Sequence, residues 1–565
     1  MSRPTTIALY VFIAIFFGAF LIYPIATTLK DAFITDGGFS IEYVLGIFTD
    51  ATYLQGFINA FKMAIFSTLG AMLIAMPLAV VADKYLYPAK GILNSLILLP
   101  LILPPFVGAI GVKQFLGQQG SLNALLSKFG LVDMDAPVDW LGEGRLFGVV
   151  LMNALHLYPI IFLNVTAALA NLDPSLDEAA ENLGSKAFSR FRRITLPLVM
   201  PGIFAGATIV FIWSFTELGV PLIFDFTRVT PVQIFNGIRD MGGNPTPYAL
   251  VAVTLIFTLI LFALSKYAFG RTAYSTSGRA STAAIERELS APWKAWGITA
   301  AFSFVIGIAV LPHIGVVLTA MSTDWYGTVF PASLTFGNFS DALGHDITLP
   351  AISNSLKYAS LATFADLIIG IAIAYIVVRT RLPGRHVIDS LSMLPLAVPG
   401  LVMAFGYLAM TRPGQPFHFL LLGNGNPILI LVIAYAVRRL PYVVRSAAAG
   451  FQQTNTSLEE AAQNLGAPPL RALYKITLPL ISANLIAGGM LAFAFAMLEV
   501  SDSLILAQQQ GDFPITKAIY GLFRTLGNGE QIAASLGTWA MVFLGVTIVG
   551  ASVIIGKKLG ALFRV

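Results

Sequence analysis

The chain has 565 residues, 56% of them hydrophobic and only 11% charged; a soluble domain carries about a quarter charged residues, so a water-soluble globular protein is excluded. There is no cysteine, which excludes disulfides and thiolate metal sites. A formal net charge of +5 is not read as a sign of nucleic acid, because the positive residues fall between long apolar runs and their distribution matters more than their sum.

Those runs are about 20 residues long, the length that crosses a ~30 Å hydrocarbon core. They are continuous rather than alternating, which selects helices over a barrel. The first begins after Arg3 and runs from Ile7 to Leu29, too long for the core of a cleavable signal peptide, so a retained helix is expected. In chain order the predicted spans are 7–29, 57–82, 91–112, 146–170, 201–224 and 247–269. A second set follows at 295–321, 355–378, 388–410, 427–449, 481–507 and 535–556. The expected fold is an all-α polytopic membrane protein of twelve transmembrane helices. Its halves are 1–270 and 295–565, joined by a linker at 271–294 rich in Ser, Thr, Ala and charge.

Lysine and arginine gather in alternate loops: Lys84 and Lys90 after span 2, Lys186, Arg190, Arg192 and Arg193 after span 4, and Arg271, Arg279 and Arg287 after span 6. Arg379, Arg381 and Arg385 follow span 8, Arg471 and Lys475 follow span 10, and Lys557, Lys558 and Arg564 close the sequence. By the positive-inside rule these loops and both termini are cytoplasmic. The expectation is therefore a multi-pass membrane protein.

The sequence repeats itself. Residues 175–184, Ser-Leu-Asp-Glu-Ala-Ala-Glu-Asn-Leu-Gly, recur as Ser-Leu-Glu-Glu-Ala-Ala-Gln-Asn-Leu-Gly at 457–466, an offset of 282 (457 − 175). Ile194-Thr-Leu-Pro197 recurs as Ile476-Thr-Leu-Pro479 at the same offset. Leu99-Pro100-Leu101 recurs as Leu394-Pro395-Leu396, and Asn59 as Asn354, at an offset of 295 (354 − 59). Both copies of the loop follow the fourth span of their half, so the two six-helix repeats are parallel, related by an axis along the membrane normal.

The repeated loop reads as a helix-turn-helix elbow. Ser175 with Glu178, and Ser457 with Glu460, fit a capping box. Leu, Ala and Ala extend a short helix, and Gly184 or Gly466 ends it in a left-handed conformation. A second helix carries Phe188, Phe191 and Ile194, or Leu470, Leu473 and Ile476, and Pro197 or Pro479 is expected to end it before the next span.

At these residues the sequence resembles the binding-protein-dependent permeases of ATP-binding-cassette (ABC) importers. The resemblance implies the type I ABC importer permease fold, with the short helix of each elbow docking on a cytoplasmic ATPase subunit. That role is carried to Glu178, Ala179, Ala180 and Gly184, and to Glu460, Ala461, Ala462 and Gly466. It implies as partners two copies of the ATPase, which hold the ATP and Mg, a periplasmic solute-binding protein and the lipid bilayer, and as location a bacterial inner membrane. The fused two-half length and Arg438-Arg439-Leu440-Pro441-Tyr442 are similar to the ferric-iron class; relatives for phosphonates, sugar phosphates and other small anions remain an alternative cargo class. For Arg190, Arg192 and Arg193, contact with the ATPase and simple positive-inside topology both remain open. The chain has no G-x-x-x-x-G-K-[ST] phosphate-binding loop, so it is read as a transport subunit that binds no cofactor and is not an enzyme.

Charges inside apolar spans are expensive and point to function. Glu217 in span 5 and Glu499 in span 11 are again 282 apart (499 − 217), and Asp502 lies one turn beyond. Arg438 and Arg439 begin about ten residues into span 10, roughly 15 Å deep at ~1.5 Å per residue; their first-half equivalents are His156 and Leu157. Glu217, Glu499, Asp502, Arg438, Arg439 and His156 are candidate translocation-path residues. The arginines either draw in an anionic solute or neutralise Glu217 and Glu499. Pro104, Pro105, Pro399 and Gly400 interrupt spans 3 and 9 at matched places, as broken helices along a path or as kinks. The five His show no metal-ligand spacing. An ion-coupled secondary transporter would use the carboxylates as ion sites, but it has no ATPase for a duplicated elbow to meet. A membrane-embedded enzyme would need a nucleophile–base or metal constellation, which the sequence lacks.

Overall fold

The computed structural model describes residues 3–35, 38–142, 145–240, 244–269, 288–289, 291–421 and 425–555. Most of the expected linker, with Arg271, Arg279 and Arg287, lies outside the described residues, as do Lys557, Lys558 and Arg564. A backbone in hydrocarbon must satisfy its own polar groups, and the described residues are mostly helical, with one short hairpin pairing Ile34–Thr35 with Gly38–Phe39.

Among the described residues eight helices are long and apolar enough to cross a membrane: Ile7–Phe33, Ala51–Lys84, Leu146–Ala170, Ala187–Ile223, Thr246–Ser265, Pro292–Ala320, Thr348–Arg379 and Gly529–Gly550. Three bent pairs add spans 3, 9 and 11: Lys90–Ile102 with Pro105–Lys128, Arg385–Leu396 with Gly400–Met410, and Pro469–Leu480 with Ser482–Met497. Span 10 is the helix Ile428–Gln453, less apolar because it carries Arg438, Arg439 and Arg445. The twelve expected spans are therefore all helical. Span 2 begins earlier than expected because Asp50 caps it, its Oδ1 accepting from Thr52 N at 2.8 Å and Tyr53 N at 3.2 Å.

The helix breaks are sharper than kinks. Span 3 turns by 93° and span 9 by 102°, where Pro104 and Pro399 take extended conformations; proline withholds a ladder N–H and disfavours helix in the residue before it. Spans 5 and 11 are also interrupted. The helix Leu196–Phe215 resumes as Gly219–Ile223, and Ser482–Met497 resumes as Ser501–Leu506. Glu217 and Glu499 thus sit in these breaks rather than in helix interiors. Pro197 does not end its helix as expected. A π-turn at Phe191–Thr195 precedes it, with Leu196 N bonding Phe191 O, and the wider turn lets the helix run on into span 5. In the second half the break falls after Leu480, with a 75° bend.

The packing units exchange their first helices. In one unit span 1 packs with the second half of the chain; in the other, span 7 packs with the first half. In the first of these, Gly406 on the second piece of span 9 lies against Pro24 of span 1: an added Cβ would stand 2.8 Å from Pro24 O, and Tyr407 Oη donates to Phe20 O at 2.7 Å. In the second, Gly111 on the second piece of span 3 lies against Pro312 of span 7, whose carbonyl a Cβ would overlap, and Gln114 Nε2 donates to Trp325 O at 2.6 Å. Gly111 and Gly406 are the same repeat position, 295 apart (406 − 111). Small residues that admit close backbone approach are what packs helices in lipid, where no hydrophobic force separates helix from solvent.

Replacing Gly111 or Gly406 with valine should destabilise the detergent-solubilised protein by about 1–3 kcal/mol, the usual cost of overpacking, read as a fall in melting temperature. Gly307→Ala, where an added Cβ meets nothing within 4 Å, should leave it unchanged.

Candidate functional site

The first elbow begins with the helix Pro174–Asn182. Its cap is Asp173 and not Ser175: Asp173 Oδ1 accepts from Ser175 N at 2.9 Å. Pro174 has no N–H to offer and is preset for the first helical position, which moves the cap one residue before it. The hydrogen bonds it accepts hold the Asp173 carboxyl below its ordinary range. At the other end Gly184 has φ +81°. Its N–H bonds Glu181 O at 2.8 Å, and Ser185 N closes back on Ala180 O at 3.0 Å, a Schellman ending. Asp177 faces inward, 3.6 Å from Lys84 Nζ at the end of span 2 and 3.2 Å from Arg190 Nε. Arg190 is buried, also reaches Glu181 at 3.4 Å and donates to Ser185 O at 2.7 Å. It holds the elbow together, whereas Arg192 and Arg193 are exposed.

The second elbow repeats this with different side chains. Its helix is Thr456–Asn464, capped by Asn455, whose Oδ1 accepts from Ser457 N at 3.0 Å. Gly466 has φ +90°, and Ala467 N closes on Ala462 O at 3.0 Å. Glu459, the counterpart of Asp177, is 3.2 Å from Arg379 Nε at the end of span 8 and accepts from Thr477 Oγ1 at 3.1 Å. Arg379 also donates to Thr454 O at 2.7 Å.

With the acidic residue turned inward, each elbow shows Glu178, Ala179 and Gly184, or Glu460, Ala461 and Gly466, to the outside, while Ala180 and Ala462 are half-buried. Beside them stand leucines with no covering: Leu183 is 88% exposed and Leu465 90%. Leu176, Phe188, Leu458, Leu470 and Tyr474 are exposed as well. The sequence reading missed Leu183 and Leu465. Their signal is an apolar side chain directly before a left-handed glycine, a place where helix-ending chemistry needs no leucine.

The candidate path residues fall into two settings. In the second half Arg438, Arg439, Glu499 and Asp502 come together. Arg438 Nη1 is 2.6 Å from Glu499 Oε1 and 3.5 Å from Asp502 Oδ2, and Arg439 pairs with the other oxygen of Glu499. Glu499 and Asp502 are buried. Gly400 makes room for the arginine, since a Cβ there would occupy the Arg438 guanidinium. Thr516 Oγ1 donates to Glu499 O at 2.7 Å, and the Tyr435 and Ser503 hydroxyls bond at 2.6 Å. Buried Asp366 on span 8 has no hydrogen-bond partner on either carboxylate oxygen. In the first half Glu217 caps the short helix Gly219–Ile223, accepting from Gly219 N at 3.0 Å and Val220 N at 3.2 Å. Half-buried His156 meets Pro100 O through Nδ1 at 2.7 Å. Among the described residues no three His, Asp or Glu side chains are grouped to hold a metal ion. Tyr435, Ser503, Thr516 and Asp366 were missed, because single polar residues in apolar spans give no sign of which neighbour they meet.

The family described as binding-protein-dependent transport system inner membrane component matches residues 54–273 and 366–559, one segment in each half. The chain is similar to the ferric transport system permease protein FbpB of Actinobacillus pleuropneumoniae, 27% identical over 516 residues that span 88% of this chain and 71% of that protein. It is also similar to the putative ferric transport system permease protein FbpB 1 of Haemophilus influenzae, 28% identical over 507 residues spanning 88% and 77%. The molybdenum transport system permease protein ModB of Haemophilus influenzae is 29% identical over 223 residues, 37% of this chain but 92% of that protein.

Leaving a buried charge uncompensated costs about 3–5 kcal/mol, and without Arg439 a single cation, Arg438, faces both Glu499 and Asp502. Arg439→Gln should therefore sharply reduce the yield of folded, monodisperse protein, and adding Glu499→Gln should recover most of it. A yield unaffected by Arg439→Gln would show that the pair contributes little to folding.

Proposed function

We propose a function for this chain from the family to which it belongs, the inner membrane components of binding-protein-dependent transport systems. It is the multi-pass permease of an ABC importer with both pore-forming halves in one polypeptide. Two copies of a cytoplasmic ATPase subunit dock on the two elbows and hydrolyse ATP there, and both termini of the chain face the same side. A periplasmic binding protein delivers the cargo from the other side. The single observation that carries this reading is the pair of elbows: the same capped helix, left-handed glycine and uncovered leucine recur 282 residues apart, which a lone chain has no use for.

The cargo is ferric iron. Its support is that the relatives named for ferric transport align with 88% of this chain, across both halves, whereas the molybdenum permease aligns with one half's length. Any specific iron ligands belong to the binding protein. Within the permease, Glu217, Glu499, Asp502, Arg438, Arg439 and His156 flank the path. The two arginines face two carboxylates, so this cluster braces the wall of the path and does not select an anion by charge.

The test is reconstitution of the chain with its ATPase and binding protein in liposomes. Radioactive iron delivered on the binding protein should enter on ATP after the proton and sodium gradients are collapsed, and molybdate should not. Uptake by the permease alone on an imposed ion gradient would contradict the importer reading; uptake of molybdate in place of iron would contradict the cargo.

A further inference from the structure

Each half holds one long helix that is fastened at both ends. Span 2, Ala51–Lys84, is one continuous helix that runs through Pro77. Its last residue, Lys84, meets Asp177 of the first elbow at 3.6 Å. Near its other end Asn59 Nδ2 donates to Arg228 O at 2.7 Å, and Gln233 Nε2 donates to Thr52 O at 2.8 Å. These bonds hold the loop that follows the Glu217 break. Gly56 lets the Gln233 side chain lie directly on the helix, where a Cβ would overlap it.

Span 8, Thr348–Arg379, is fastened in the same way. Its last residue, Arg379, meets Glu459 of the second elbow at 3.2 Å. At the other end Asn354 Nδ2 donates to Gly511 O at 2.8 Å, and Ser355 Oγ accepts from Ile515 N at 2.7 Å. Those residues form the loop that follows the Glu499 break. The spacing between fastenings is 25 residues in both (84 − 59 and 379 − 354), or roughly 38 Å of helix at ~1.5 Å per residue. The basic and acidic partners differ between halves, Lys with Asp and Arg with Glu, but the pairing does not.

A helix gripped at both ends transmits displacement along its axis, because packed interiors yield little; span 2 lacks only the rung that Pro77 withholds and stays helical on both sides of it. We propose that spans 2 and 8 are push-rods, with Lys84–Asp177 and Arg379–Glu459 as the joints to the elbows and Asn59 and Asn354 as the joints to the loops beyond the carboxylate breaks. Closure of the ATPase under an elbow is thereby delivered to the far loop of the same half. This rests on the reading that the elbows dock the ATPase.

The experiment measures uptake per ATP hydrolysed in the reconstituted complex. The near-joint variant is Lys84→Gln with Arg379→Gln, and the far-joint variant is Asn59→Ala with Asn354→Ala. Both should retain the ATPase on co-purification, and both should lower uptake per ATP by about fivefold or more, the scale of a typical coupling free energy. Combining them should add little, since both cut one linkage. The conservative exchange Lys84→Arg with Arg379→Lys should keep the parent ratio. A smaller loss in either variant, or additive losses, overturns the proposal. So does release of the ATPase from the near-joint variant, which would make that joint a docking element. If the near-joint variant does not fold, the far-joint ratio decides. Failure of the unaltered chain to retain the ATPase would instead overturn the docking reading itself.

Discussion

Every feature of this protein depends on one constraint: inside hydrocarbon, a backbone that leaves the helix must find its hydrogen bonds within the protein. The chain leaves the helix at matched places in its two halves, at Pro104 and Pro399 in spans 3 and 9, and around Glu217 and Glu499 in spans 5 and 11. At the first of the latter breaks Glu217 accepts from two backbone N–H groups of the helix that resumes, and at the second Glu499 accepts from one, Asp502 N. The carboxylate is therefore part of how the break is tolerated, and a search that treats every intramembrane charge as a cargo ligand would misread it. Irregular backbone of this kind is confined to regions buried in protein or lining a cavity, which is why the breaks mark where a path is to be sought.

The two halves share this backbone but not its chemistry. The second half surrounds Glu499 with Arg438, Arg439 and Asp502, and with Tyr435, Ser503, Thr516 and Asp366. At the corresponding positions the first half has His156, Leu157 and Val220, with Asn153, Pro221, Ile234 and Ala71. In the second half buried ion pairs gather at the break, and in the first Glu217 caps the helix that resumes. Fusing the halves into one polypeptide fixes them in one-to-one proportion, so each is free to specialise in this way.

Much of this was legible in the sequence. The spans followed from apolar length, and the elbow from a ten-residue segment stated twice, because local hydrogen-bond chemistry is written locally. Even the cap was available: Pro174 marks the first helical position and so points to Asp173, although Ser175 with Glu178 fits a capping box equally well on paper. The exchange of first helices was not legible, because an apolar face is written the same way whichever neighbour it meets. The choice of Glu499 by both arginines was hidden for a related reason: the sequence shows charges at similar depth, but a partner is fixed by which helices pack. The fastenings of spans 2 and 8 lay between these cases. Lys84 with Asp177 and Arg379 with Glu459 were visible as matched charges at the two repeat offsets, and only the fold joins them.

The absence of cysteine from the chain permits a direct test that both elbows meet an ATPase. Leu183→Cys and Leu465→Cys would be introduced singly, each paired with a scan of single cysteines across the surface of an otherwise cysteine-free ATPase, and the assembled complex would be oxidised. If both elbows dock an ATPase, each position yields a disulfide-linked permease–ATPase product, and replacing both leucines yields a product carrying two ATPase copies. Efficient assembly of the complex with no cross-link from either position would contradict docking at the elbows.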